Sequence, residues 1–148
     1  MSGNVSDHET HPARILLVED NAGDAVLVRR MCRKTHLADD IAIANTAEAA
    51  LSMLQTEARP DFIMLDLSLP QMTGEEFLDE VMNHRRWRDI PVLIFTSEIT
   101  ESKKTLRKHV SGYLAKPANQ DGFDKAAKQL EQFWHRFSAG QNNIEKAG

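Results

Sequence analysis

The chain is nearly without cysteine, with Cys32 alone in 148 residues. An internal disulfide is therefore excluded, and the place of Cys32 in an expected helix reads as a small packed side chain in a reducing compartment rather than as a redox group. A basic excess is missing too: 18 Lys and Arg stand against 22 Asp and Glu, for a formal net charge of -4 and a pI of about 5.8. The basic residues are scattered, which lacks the electrostatic footprint of a nucleic-acid binder, so no direct nucleic-acid contact is expected. No apolar run approaches the roughly 18 residues that a membrane span needs. The opening MSGNVSDHETHP is polar and acidic, unlike a secretory signal. These absences predict a cytoplasmic protein without a membrane partner. With 41% hydrophobic residues, the chain suits one domain with a conventional core and leaves no room for a separate output domain.

What is present is organised around Phe62 to Gly74, FIMLDLSLPQMTG. The apolar run Phe62 to Leu65 reads as a buried strand that delivers Asp66 at its carboxyl end, with Pro70 and Gly74 marking the turn beyond. A carboxylate so placed is costly unless its charge is paired. Matching groups close other apolar runs: Glu19 and Asp20 after Ile15 to Val18, Thr96 after Val92 to Phe95, and Lys116 with Pro117 after Gly112 to Ala115.

Along the chain, residues 1 to 12 read as a disordered tail, in which His8 and His11 lack the further ligands of a metal site. A first strand covers about Ala13 to Glu19. A helix capped by Asn21 should run from Ala22 to about Thr35, burying Ala25, Val28 and Met31 or Cys32. Its Arg29, Arg30, Arg33 and Lys34 make it the most basic segment. A short strand from Asp40 to Ala44 leads into a helix from Ala47 to about Thr56. Thr73 with Glu76 forms a capping box for a helix that buries Phe77, Leu78, Val81 and Met82 and ends near Asn83. Trp87, in the loop HRRWRD, reads as a lid over the core edge. A weak helix from about Glu101 to Lys108, a last strand from Gly112 to Ala115 and a helix from about Gln120 to Phe137 complete the domain, with 138 to 148 as a flexible tail. Five alternating strand and helix units predict an α/β domain with a parallel sheet covered on both faces.

The acidic pair in LLVEDN, Asp66 in LDLSLP, Thr96 in IFTS, and Tyr113 with Lys116 in GYLAKP together make the chain resemble the receiver domain of a two-component response regulator, over about residues 13 to 137. The resemblance implies a five-stranded, doubly wound, flavodoxin-like sheet of order 2-1-3-4-5. It also implies that Asp66 is the phosphoacceptor, taking a phosphoryl group from a sensor histidine kinase. Mg2+ is the implied cofactor, held by Glu19, Asp20, Asp66 and the backbone carbonyl of Ser68. Lys116 and Thr96 would serve the phosphoryl oxygens, and Thr96 and Tyr113 would form the switch, the alternative for Tyr113 being a strand side chain that merely packs. The basic face of the first helix reads by default as a solvated surface, with kinase docking, common among receivers, as the alternative. Such a protein acts only on itself and is not an enzyme in the ordinary sense. Two departures stand out: Ser97 where receivers usually carry Ala or Gly, and a Thr96 to Lys116 segment slightly shorter than common. VEDNAGDAVLVRR, HVSGYLAKPAN and the late FW pair further resemble stand-alone receivers that serve bacterial phytochrome kinases.

Two other classes compete. A pseudo-receiver that only binds partners would be expected to have lost a site residue, and none is lost. An aspartyl-phosphate hydrolase wants a second carboxylate where Ser68 stands. In the last helix, Phe123, Ala127, Leu130, Trp134 and Phe137 form one apolar seam, widened by Ala126 and Phe133. One sheet face has limited room for so many aromatics, so Phe133, Trp134 and Phe137 are expected to form a homodimer interface. The alternative is a broad core within one chain.

Overall fold

The computed structural model describes residues 12–38, 40–69, 71–97 and 110–147, with side chains of the last helix described through Ser138. The elements are β1 (Arg14–Val18), α1 (Ala22–Thr35), β2 (Asp40–Ala44), α2 (Ala47–Thr56), β3 (Phe62–Leu65), α3 (Gly74–Met82), β4 (Val92–Thr96), β5 (Gly112–Ala115) and α4 (Gln120–Ala147). The expected tail at residues 1 to 11 with His8 and His11, Pro70, and the weak helix at 101 to 108 lie outside the described residues.

All strands are parallel, in the order β2-β1-β3-β4-β5. Successive strand side chains point to opposite faces, and the core divides accordingly. Ile15, Leu17, Phe62, Met64, Leu93 and Phe95 pack under α1 and α4. Leu16, Val18, Ile63, Leu65, Val92 and Ile94 pack under α2 and α3. A sheet covered on both faces explains why β3 and β4 are apolar at nearly every position rather than alternating.

The helix starts follow from caps. Asn21 accepts from the Asp24 N–H at 2.9 Å and Thr46 from that of Ala49 at 3.0 Å. The Thr73 and Glu76 box closes from both sides, at 2.9 and 3.1 Å. Each cap satisfies an amide that the first turn leaves without an intrahelical acceptor. Trp87 is buried at the edge of the α2 and α3 layer and stacks on His84 at 3.6 Å. Cys32 is fully buried, and burial pushes its thiol up to about 12, in keeping with a packed side chain.

Two expectations about the last helix are corrected. It runs on to Ala147 instead of ending near Phe137: no proline stops it, and Ala139, Gln141, Glu145, Lys146 and Ala147 favour the helix against the weaker Gly140, Asn142 and Asn143. Phe133 and Trp134, expected on an interface, are only 4% and 2% exposed. Both rings pack on Phe62, with centroids at 5.2 and 5.8 Å. Phe133 also lies over Gly112, where an added Cβ would make an ordinary 3.5 Å contact with its ring and a tighter 3.2 Å contact with Leu93. Of the three residues only Phe137 is left half-buried, its ring 4.8 Å from that of Phe133.

Candidate functional site

The register assembles the site before any side chain is considered. Val18 lies opposite Leu65, so the next residues, Glu19 and Asp66, leave adjacent strands side by side at the sheet's carboxyl edge. The Asp66 N–H donates to the Val18 carbonyl at 3.1 Å and the Glu19 N–H to that of Ala44 at 2.9 Å. These two strands flank the point where chain order reverses, the usual location of a ligand site in an open α/β sheet. Ser68 is held beside Asp66, its N–H donating to Asp66 Oδ1 at 3.0 Å. Gly74, the first residue of α3, presses on the same turn: a Cβ there would fall 2.6 Å from Leu67 Cα and 2.9 Å from the Asp66 carbonyl oxygen.

Lys116 enters from the end of β5, its backbone N–H tied to the Thr96 carbonyl at 2.8 Å. Its Nζ lies 3.3 Å from Asp66 Oδ2, 3.0 Å from Glu19 Oε1 and 2.8 Å from Asp24 Oδ2. Burial works against the charge on Lys116, but Asp24, Glu19 and Asp66 outweigh it and hold the ammonium above the usual lysine range. Burial also pushes Glu19 up, from 4.5 to about 7; the Asp66 charge adds to the rise while Lys116 and the Asn21 N–H oppose it.

Glu19, Asp20 and Asp66 each place one carboxylate oxygen within 4.8 Å of the others, Glu19 and Asp66 buried and Asp20 exposed at the mouth. Glu19 Oε1 is buried with the Lys116 ammonium at 3.0 Å as its charge partner and no other hydrogen bond. Three clustered carboxylates facing a lysine that Asp24 also shares are short of positive charge, and an all-oxygen donor set of this kind fits a hard divalent cation.

Thr96 is buried at the end of β4. Tyr113, half-buried in β5, is paired with Ile94 and packs in the α2 and α3 layer. Alternation along β4 puts Thr96 on the same face as Ile94, so Thr96 and Tyr113 share one side of the sheet. Of the sequence-predicted site residues, Glu19, Asp20, Asp66, Ser68 and Lys116 meet at one edge, Thr96 ends the neighbouring strand, and Tyr113 lies further back in β5. Asp24 was not anticipated; the available signal was an acid three residues beyond the cap Asn21, in the turn that follows the acidic pair.

Comparison with known proteins agrees with this geometry. The family model for the response regulator receiver domain matches residues 15–128. Response regulator Rcp1 of Synechocystis sp. is 32% identical over 138 residues, covering 88% of this chain and 94% of Rcp1. The crystal structure of the Mn(2+)-bound form of Rcp1 aligns with a TM-score of 0.73 at 32% identity, covering 83% of this chain and 94% of that one. The phosphorylated cyanobacterial phytochrome response regulator RcpA aligns at 0.74 and 30% identity, with the same coverages. With strand order, acidic edge and family model in agreement, the chain belongs to the response regulator receiver domain family.

Proposed function

We propose that this protein accepts a phosphoryl group from the phosphohistidine of a sensor histidine kinase onto Asp66, in a Mg2+-dependent reaction in the cytoplasm, and so switches a protein-binding surface. The observation that carries the reading is the Lys116 ammonium 3.3 Å from Asp66 Oδ2 at the rim of a three-carboxylate cluster. An Asp66 carboxylate oxygen forms the new bond to phosphorus, the phosphorus to imidazole nitrogen bond breaks, and the electron pair leaves with the histidine. Mg2+, held by Glu19, Asp20, Asp66 and the Ser68 carbonyl, would supply charge neutralisation at the phosphoryl oxygens. Lys116 adds a fixed positive charge and Thr96 a hydroxyl donor, so the chain contributes positioning and electrostatics. Movement of Thr96 toward the phosphoryl group opens space on its side of the sheet for Tyr113, which links the site to the surface. The activity is self-directed, with no separate substrate.

The kinase would dock on α1, where Val26 is 55% exposed beside exposed Arg29, Arg30 and Arg33. Likeness to RcpA, a cyanobacterial phytochrome response regulator, favours a light-regulated kinase as donor. Retention of every site residue speaks against a pseudo-receiver. A homodimer through α4 and β5 is also proposed, resting on the half-buried Phe137, since Phe133 and Trp134 are buried. Labelling with a phosphorylated kinase or acetyl phosphate tests the core reading: Asp66→Asn should stay folded and take up no label, and persistent labelling would refute the assignment. Sedimentation of wild type against Phe137→Glu tests the dimer, and a wild type that stays monomeric at high micromolar concentration with beryllofluoride would refute it.

A further inference from the structure

We infer that Asp24 is a positioning residue that tethers Lys116, holding its ammonium over the acceptor while the other carboxylates at that nitrogen are engaged elsewhere. The inference rests on the phosphoacceptor reading of Asp66. Of the three carboxylates that meet Lys116 Nζ, Asp24 makes the shortest contact, 2.8 Å, against 3.0 Å for Glu19 and 3.3 Å for Asp66. Glu19 and Asp66 also belong to the cluster that fits a divalent cation, and Asp24 does not. Asp24 is therefore the partner of Lys116 that cation binding would not draw upon.

Its position is set in advance by the backbone. The Asp24 N–H is bonded to Asn21 Oδ1 at 2.9 Å, and the Asn21 N–H donates to Glu19 Oε2 at 3.2 Å, so the first turn of α1 is tied to the acidic edge. The Asp24 side chain is 28% exposed, at the rim of the site instead of its floor. An ammonium has three donors on a flexible four-carbon stem. One bond to Asp24 removes much of that freedom and leaves two donors for Asp66 and an incoming phosphoryl oxygen. Without it, the stem must be ordered by the reacting groups themselves, which slows the step without removing any group that touches phosphorus.

The test measures acetyl phosphate labelling and Mg2+ affinity, the latter by NMR titration, on the full chain carrying Asp24→Ala, Asp24→Asn, Lys116→Ala and the Asp24→Ala/Lys116→Ala pair. Asp24→Ala should label about tenfold more slowly, the lower range for losing a charge-assisted bond. Mg2+ affinity should hold within about twofold, as expected of a residue outside the cation cluster and as a check that the variant is folded. Asp24→Asn, which keeps an acceptor oxygen, should recover part of the rate. In the Lys116→Ala background, Asp24→Ala should have no further effect, a non-additivity that a merely structural role would not produce. A wild type that takes no label overturns the acceptor reading and this inference together. A labelled wild type matched in rate by both Asp24 variants overturns the tether alone, as does additivity with Lys116→Ala or collapse of Mg2+ affinity in both Asp24 variants.

Discussion

Replacing Glu19 by Gln should raise the stability of the cation-free protein relative to wild type by an amount that grows with pH. Glu19 has an ordinary value of 4.5 and lies at about 7 in the fold, raised by burial and then by Asp66. Since the folded value lies above the unfolded one, the folded state binds the proton more tightly. This group therefore weakens folding progressively as pH rises from 4.5 toward 7, and its full penalty stands above 7. Those two values give a penalty of about 1 kcal/mol at pH 5 and about 3 kcal/mol at pH 8. Glu19→Gln has no such penalty, so the difference between the two proteins should widen by about 2 kcal/mol over that interval, or roughly 6 °C in Tm for a domain of this size. Thermal melts by circular dichroism in EDTA at pH 5, 6, 7 and 8 read this directly. The histidines are common to both proteins and cancel in the difference. Loss of the charge contact to Lys116 sets the offset, so the widening is the quantity of interest. Adding a divalent cation should reverse the trend, because wild type gains about 2.7 kcal/mol at a hundredfold excess over Kd while the variant, short of one ligand charge, gains less. A gap that stays constant from pH 5 to pH 8 would refute the reasoning.

Lys116→Ala leaves the three cation-binding carboxylates in place. It should lower cation-free stability by about 3 kcal/mol at pH 8, regain most of it on adding Mg2+, and label poorly; loss of Mg2+ affinity would contradict the described pocket. Gly74→Ala should destabilise by about 2 kcal/mol or more in denaturant titrations, because the added Cβ meets backbone at 2.6 Å and not a side chain that can turn away. An unchanged midpoint would show that α3 is free to shift. Cys32, fully buried with a thiol pushed up to about 12, should resist alkylation at pH 8 in native buffer and react promptly in denaturant; fast native labelling would place it at the surface.

The sheet and the acidic edge were legible because each rests on a local pattern. Runs such as Ile15 to Val18 and Phe62 to Leu65 are too apolar for a half-exposed strand, and each is followed at once by a carboxylate of the edge cluster, Glu19 or Asp66. The start of α1 and the box at Thr73 were likewise readable, since caps are written in three or four consecutive residues. What escaped depends on distances between elements. Asp24 and Lys116 are 92 positions apart, and nothing in either neighbourhood announces that a helix turn and a strand end meet at 2.8 Å. The fate of Phe133 and Trp134 turned on Phe62 lying beneath them on the sheet, a contact between elements that periodicity along one helix cannot reveal.

The closeness of Gly74 to Leu67 and to the Asp66 carbonyl bears on which way a signal can travel. The turn after Asp66 and the beginning of α3 are in backbone contact, with the Leu67 side chain pressing on the same glycine, and the Gly74 N–H reaches the Leu67 carbonyl at 3.4 Å. On the phosphoacceptor reading, α3 has no room to move inward onto that turn when a group is added to Asp66. The bare glycine then acts as a stop on one side of the site, which leaves the ends of β4 and β5, where Thr96 and Lys116 stand, as the side on which the proposed change would be expressed.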